Sequence, residues 1–155
     1  MRKAIFTLLM VCGIGYAAQA QLIDKGALMA GGTLEFTSHK SNSTFILSPS
    51  LGYFFADNAA LGAAVSYSSI SQFDAFSVSP FARYYLNFGL FGHGGLQFTR
   101  IKGAEKENDF DVVMGLGYAA FLSNTVALEP VFTVNFLDGS TYTRLTISLQ
   151  VYFGR

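Results

Sequence analysis

From residue 28 onward the chain alternates apolar and polar positions in short runs, each ended by a turn signal. A two-residue period is what a strand with one apolar face requires. The first run puts Leu28, Ala30, Gly32, Leu34 and Phe36 on one face, opposite Thr33, Glu35 and Thr37. After polar positions 38–43, Phe45, Leu47, Pro49, Leu51, Tyr53 and Phe55 form the second apolar face, which breaks at Asp57-Asn58. Leu61, Ala63, Val65 and Tyr67 mark the third run, and a loop is expected over 69–74. Phe76, Val78, Pro80, Ala82, Tyr84 and Leu86 mark the fourth.

A tight turn at 87–89 leads to the fifth run, where Leu90, Gly92, Gly94, Leu96 and Phe98 oppose His93, Gln97 and Thr99. Positions 102–109 carry the densest charge and read as a solvated loop. The sixth run holds Phe110, Val112, Met114, Leu116, Tyr118 and Ala120 against Asp111, Gly115 and Gly117. Ser123-Asn124 then turns the chain into Val126, Leu128, Pro130, Phe132, Val134 and Phe136, opposite Glu129, Thr133 and Asn135. Beyond Asp138-Gly139, Leu145, Ile147, Leu149, Val151 and Phe153 alternate with Thr146, Ser148 and Gln150. Eight antiparallel strands are therefore predicted.

Two features assign the apolar face to lipid rather than to the cavity of a soluble barrel. The polar face is built from Ser, Thr, Gly and Gln with almost no Lys, whereas soluble exteriors carry mixed charge. The aromatic residues also fall into register. Phe36, Phe45, Tyr67, Phe76, Phe98, Phe110 and Phe136 mark the outer ends of seven strands. Tyr53, Tyr84, Tyr118 and Phe153 lie eight positions after Phe45, Phe76, Phe110 and Leu145 on the descending strands. Eight residues span roughly 26 Å along a strand and about 20 Å along the membrane normal after a ~40° tilt. That separation suits two aromatic girdles bounding a hydrocarbon band. The short connections at 57–58, 87–89 and 123–124 are expected on the periplasmic side, with longer polar loops outside, except around Asp138-Gly139, which is nearly as short as the turns.

The first twenty residues read as an address. Arg2 and Lys3 precede an apolar run over 4–18, and Ala18-Gln19-Ala20 is an A-x-A cleavage signal. The run is too short for a spanning helix, which needs about 20 residues. The expected organisation is a cleaved signal peptide over 1–20 and one barrel domain over 21–155. Cys12 is the only cysteine and lies inside the signal, so a mature chain has no thiol for a disulfide or metal. Removing Arg2 and Lys3 leaves eight basic residues against ten acidic, which excludes a basic nucleic-acid footprint.

Several motifs give the chain a family likeness: Tyr53-Phe-Phe-Ala-Asp-Asn58 followed by Leu61-Gly-Ala63, then Ser79-Pro-Phe-Ala-Arg-Tyr-Tyr85, Leu128-Glu-Pro130 and the alternating final strand. With these, residues 26–153 resemble the outer-membrane protein β-barrel domain family, the small OmpA/OmpX-type, porin-like barrels of Gram-negative bacteria. The resemblance implies an all-β, eight-stranded antiparallel up-and-down transmembrane β-barrel in the bacterial outer membrane. It also implies a monomer surrounded by outer-membrane lipids, handled during biogenesis by periplasmic chaperones and the barrel-assembly machinery. One departure is that Gly154-Arg155 follow Phe153, where the family usually ends on the aromatic residue itself.

The inward set includes Glu35, Arg83, Asp111, Glu129 and Arg144, with Phe54, Phe81 and Tyr85. An eight-stranded barrel is only just wide enough for its side chains, and desolvated charges are costly unless paired. An Arg83–Glu129 contact, extended by Arg144 and Glu35, is expected to plug the lumen. Ser38-His39 in the first outer loop and the inward His93 are the candidates for a catalytic site, but the sequence does not bring a nucleophile, base and orienting group together. With two distant histidines and no mature cysteine, no metal or cofactor site is expected. The reading is a non-enzymatic outer-membrane barrel with a structural, envelope-integrity or surface-interaction role. A narrow porin for small solutes is the alternative, and a lipid-modifying enzyme ranks third.

Overall fold

The computed structural model describes residues 23–39, 42–70, 73–86, 88–102, 108–137 and 140–155, without the side chains of 34–39, 42–45, 69–70, 73, 102, 137 and 140. The signal segment 1–20 lies outside the described residues, as do the side chains of Glu35, Phe36, Ser38, His39 and Phe45. Among the described residues there are nine strands: β1 Leu28–His39, β2 Asn42–Ala56, β3 Ala59–Ile70, β4 Phe73–Tyr85, β5 Leu90–Lys102, β6 Asn108–Tyr118, β7 Ala120–Phe121, β8 Val126–Leu137 and β9 Ser140–Phe153. The two-residue β7 continues β6 in unchanged register against β8. The two act as one stave, so the barrel has eight.

Every stave is antiparallel to its neighbours, and β1 pairs with both β2 and β9. That closure removes the open edge that lipid cannot solvate. The register also fixes the stagger. Leu28 pairs with Tyr53, and the path runs on through Leu61, Ala82, Gly94, Met114 and Val134 to Thr143. Continuing the β1–β9 register brings Thr143 opposite residue 38, ten positions from the start. A stagger of this size tilts the strands by roughly 40° and sets the barrel's width.

The alternation maps onto inside and outside as the pattern predicts. Leu51, Leu116 and Leu145 are 69%, 61% and 71% exposed, far beyond what a water-facing surface tolerates as a continuous band. At the outer rim, Tyr67 pairs with Phe76 and Phe98 with Phe110 across their hairpins. The Phe98 and Phe110 rings lie 5.2 Å apart. Tyr53, Tyr84 and Phe153 are exposed at the other rim, and Tyr118 is half-buried.

The outer connections differ from expectation. Loops are expected at 38–43 and 69–74, yet the backbone ladder runs on until His39 pairs with Asn42 and Ile70 with Phe73. Polar composition is compatible with a continued ladder as well as with a loop. Outer and inner turns are consequently similar in length at three of the four outer hairpins, and loop length is a weaker guide to orientation than the sequence implied.

Large inward side chains are accommodated by glycines directly across the ladder. Met29 faces Gly52, Phe81 faces Gly62, and Phe91 faces Gly117. A Cβ on Gly117 would lie 2.7 Å from Phe91 Cε2, so a side chain there forces the ring out of place. By contrast, a Cβ on outward Gly94 meets nothing within 4 Å. Gly117→Val is expected to destabilise the barrel by about 1–3 kcal/mol through overpacking, and Gly94→Ala to stay within about 0.5 kcal/mol. Urea unfolding in detergent micelles, followed by tyrosine fluorescence, checks the pair.

Candidate functional site

The inward face departs from small polar residues at one level, near the periplasmic ends of the strands. Met29, Phe54, Tyr85, Phe91 and Tyr152 all project inward there and are buried. Their rings pack on one another, with Tyr85 4.7 Å from Phe91 and Phe54 5.6 Å from Tyr85. Ile23 joins this cluster from the segment before β1. Its backbone is held by Asn58, whose side-chain Oδ1 accepts from Ile23 N at 3.0 Å while Asn58 N donates to Ile23 O at 2.9 Å. Asn58 has φ 61, the left-handed conformation that Asn tolerates better than most residues in a tight turn.

Set into these rings is an ion pair. Arg83 Nη1 donates to Glu129 Oε2 at 2.8 Å, with Arg83 8% and Glu129 0% exposed. β4 and β8 bring them together across the lumen, with β5 and β6 between them on the barrel wall. The other Glu129 oxygen accepts from the Tyr152 hydroxyl and, at 3.4 Å, from that of Tyr85. Arg83 Nη1 also reaches Tyr85 Oη at 3.2 Å, and its Nε donates to His93 Nδ1 at 3.2 Å. Accepting at Nδ1 leaves the imidazole proton on Nε2. The guanidinium carbon lies 4.9 Å from the centroids of both Phe81 and Phe91. Charge, hydrogen bonds and ring faces thus compensate Arg83 for the water it has lost.

The charge network anticipated from sequence divides in two. Arg83 and Glu129 form the floor, but Asp111 and Arg144 sit toward the outer mouth. Asp111 Oδ2 accepts from Tyr142 at 3.0 Å, and Arg144 Cζ lies 5.7 Å from the Tyr142 ring centroid. The expected extension of the floor by Arg144 is therefore corrected. Its position on β9, opposite Thr133, is too far up the barrel from Glu129, which pairs with Ser148. The Glu35 side chain, the other expected extension, lies outside the described residues.

Between floor and mouth is a cavity of about 370 Å³, walled mainly by Ser, Thr and Gln and bounded below by Phe81, Arg83 and His93. Ser48 bonds Ser66 at 2.9 Å, and Ser77 bonds Thr99 at 2.9 Å, so much of the wall satisfies itself. No group of three metal-ligating side chains gathers among the described residues. His93 Nδ1 accepts from Arg83 Nε, and its ring lies 5.5 Å from that of Phe81. At the barrel's inner rim, Arg155 donates to Asn124 O at 3.1 Å and stacks 3.8 Å from the Phe121 centroid. Partial burial pushes its guanidinium below the ordinary value. The residues beyond Phe153 are thus tied back to the turn before β8.

Sequence reasoning missed Tyr152, Met29 and Phe91 as parts of the floor. The signal was present as large apolar side chains at polar-face positions, all at one height. Tyr142 and Asn135 were also missed as partners of Asp111, because a cross-strand pairing was needed to bring them together.

No protein-family model and no curated protein sequence matches the chain. Solved structures do. The Yersinia pestis outer-membrane protein Ail in a phospholipid bilayer nanodisc superposes with a TM-score of 0.58 at 11% identity, over 84% of this chain and 100% of that one. The N-terminal β-barrel domain of Pseudomonas aeruginosa OprF gives 0.57 at 11% identity, over 86% and 100%. A de novo designed transmembrane β-barrel gives 0.55 at 15%, over 86% and 100%. This chain has the fold of small eight-stranded outer-membrane barrels. Since a designed barrel matches about as well as natural ones, the likeness measures architecture alone.

The floor is open to a double-mutant cycle. Arg83→Met is expected to destabilise the barrel by about 3–5 kcal/mol by leaving Glu129 buried and unpaired. Adding Glu129→Leu should recover most of that loss. Urea midpoints of the four proteins in micelles measure the coupling, and a double variant as unstable as the worse single one contradicts the pairing.

Proposed function

We propose that this chain, a transmembrane barrel by fold, is an integral outer-membrane protein that works without catalysis, as a structural or surface-interacting component of the envelope, and that its lumen does not conduct. The observation that carries the reading is the floor. Arg83 and Glu129 meet across the lumen, buried among the rings of the floor, with Tyr85 and Tyr152 completing their hydrogen bonds. A conducting path would have to separate this pair, and removing a partner from a buried pair costs several kcal/mol. The apolar outer band supports residence in a bilayer, and the A-x-A signal at 18–20 supports export before insertion. His93 Nδ1 accepts from Arg83 Nε and so is turned to the ion pair, which supports the non-enzymatic reading.

Two measurements test it. Purified barrel in planar bilayers is expected to give no stable unitary current, while Arg83→Ala/Glu129→Ala, which removes the ion pair and leaves the ring layer of Phe54, Tyr85, Phe91 and Tyr152, gives brief openings more often than the unaltered protein. Large regular steps from the unaltered protein would sink the closed-lumen reading. Met114→Arg, on the lipid face midway between Phe110 and Tyr118, is expected to lower stability in bilayers by about 2–4 kcal/mol. Folding titrations into phosphatidylcholine vesicles check this, and an unchanged midpoint contradicts a membrane-facing exterior.

A further inference from the structure

The outer half of the lumen is chemically unlike the floor. Asp111, 4% exposed, and Asn135, 2% exposed, flank the Tyr142 hydroxyl. The direction of each hydrogen bond follows from valence. An ionised carboxylate only accepts, so the single phenol proton goes to Asp111 Oδ2 at 3.0 Å. The phenol oxygen therefore accepts from Asn135 Nδ2, at 2.9 Å. What is left over is acceptors alone. Asp111 Oδ1 and Asn135 Oδ1 are both buried without a hydrogen-bond partner. Asn135 lines the cavity of about 370 Å³.

Burying a carboxylate with no cation is costly, and unpaired amide oxygens add to that cost. Among the described residues, Arg144 is the nearby positive group, and it lies over the Tyr142 ring with its Cζ 5.7 Å from the centroid. A divalent metal prefers several carboxylates or six to eight oxygens, which one aspartate and one amide do not supply. An ammonium group fits better, because it brings one positive charge and three N–H donors to a site that offers one negative charge and two free acceptors.

We propose that Asp111, Asn135 and Tyr142 form a binding site for a small primary amine entering from the outer mouth. The inference rests on the lumen being blind at the Arg83–Glu129 floor, which makes this cavity a pocket. The two fail separately, since current through the barrel reports on the floor and amine titration reports on the mouth.

The test is a titration of the isotopically labelled barrel in micelles with propylammonium chloride, with sodium chloride and magnesium chloride at matched ionic strength as separate arms. Saturable shifts of the Asn135 side-chain amide are expected with propylammonium alone. Asp111→Asn should raise the midpoint by at least about tenfold, in line with losing a charge-assisted hydrogen bond. Arg144→Gln, which removes a competing positive charge from the exposed rim, should lower the midpoint and keeps the question open to measurement if Asp111→Asn does not fold. The proposal is overturned by no saturation, by equal shifts with sodium, by magnesium saturating where the amine does not, or by an Asp111→Asn midpoint equal to that of the unaltered protein. A contact between Arg144 and Asp111 in the free protein, seen as guanidinium-to-carboxylate proximity by NMR, overturns it as well.

Discussion

Closure of the hydrogen-bond ladder between β1 and β9 is the constraint on which the other features depend. In hydrocarbon no water is available for an orphan N–H or C=O, so a sheet there must return to its own first strand. Once eight staves close with a stagger of ten residues, the inward and outward faces are fixed for every residue of the ladder. The apolar positions become a lipid-facing band. The remaining side chains must then fill a space of set width, whatever they are.

That width explains why the interior is layered. Near the inner rim it is filled by bulk, and bulk is possible only where the neighbouring position is small. Met29 against Gly52, Phe81 against Gly62 and Phe91 against Gly117 repeat one solution on three pairs of strands. The Arg83–Glu129 pair sits inside this layer rather than above it. Its desolvation is offset because Phe81 and Phe91 present ring faces and Tyr85 and Tyr152 present hydroxyls at the same height. Packing and electrostatics are therefore one arrangement here. Neither would hold its geometry without the other.

The alternation made the barrel legible from the sequence, because strand period, strand number and the lipid-facing set all follow from which residues are apolar at every second position. The eight-residue aromatic intervals are read from the same alternation. Arg83 and Glu129 could be singled out as inward charges of opposite sign, since few others share their face. The remainder of the network was not legible. Whether Arg144 reaches Glu129 or stays beside Tyr142 depends on height along the barrel, and height depends on register. Register is set by closure, a long-range property that no local pattern encodes. The outer hairpins differ from expectation for another reason, because polar composition at 38–43 and 69–74 is compatible with a continued ladder as well as with a loop.

The two ends of the lumen differ in how their polar groups balance. At the floor each Glu129 oxygen is met by a donor, and Arg83 turns Nε and Nη1 to His93, Tyr85 and Glu129. Such a site has little left to offer a ligand. At the mouth the chain from Asn135 through Tyr142 to Asp111 runs in one direction, and it ends in acceptors with no donor facing them. Natural proteins keep few unsatisfied buried polar groups, so those that persist point to water, an ion or a ligand as the missing partner. Stability and recognition are then weighted to opposite ends of the barrel axis, with Gln150 Oε1 a further unpartnered acceptor lower on the cavity wall. The closed fold explains the first, and the residues that break its internal balance are where a specific activity has to be sought.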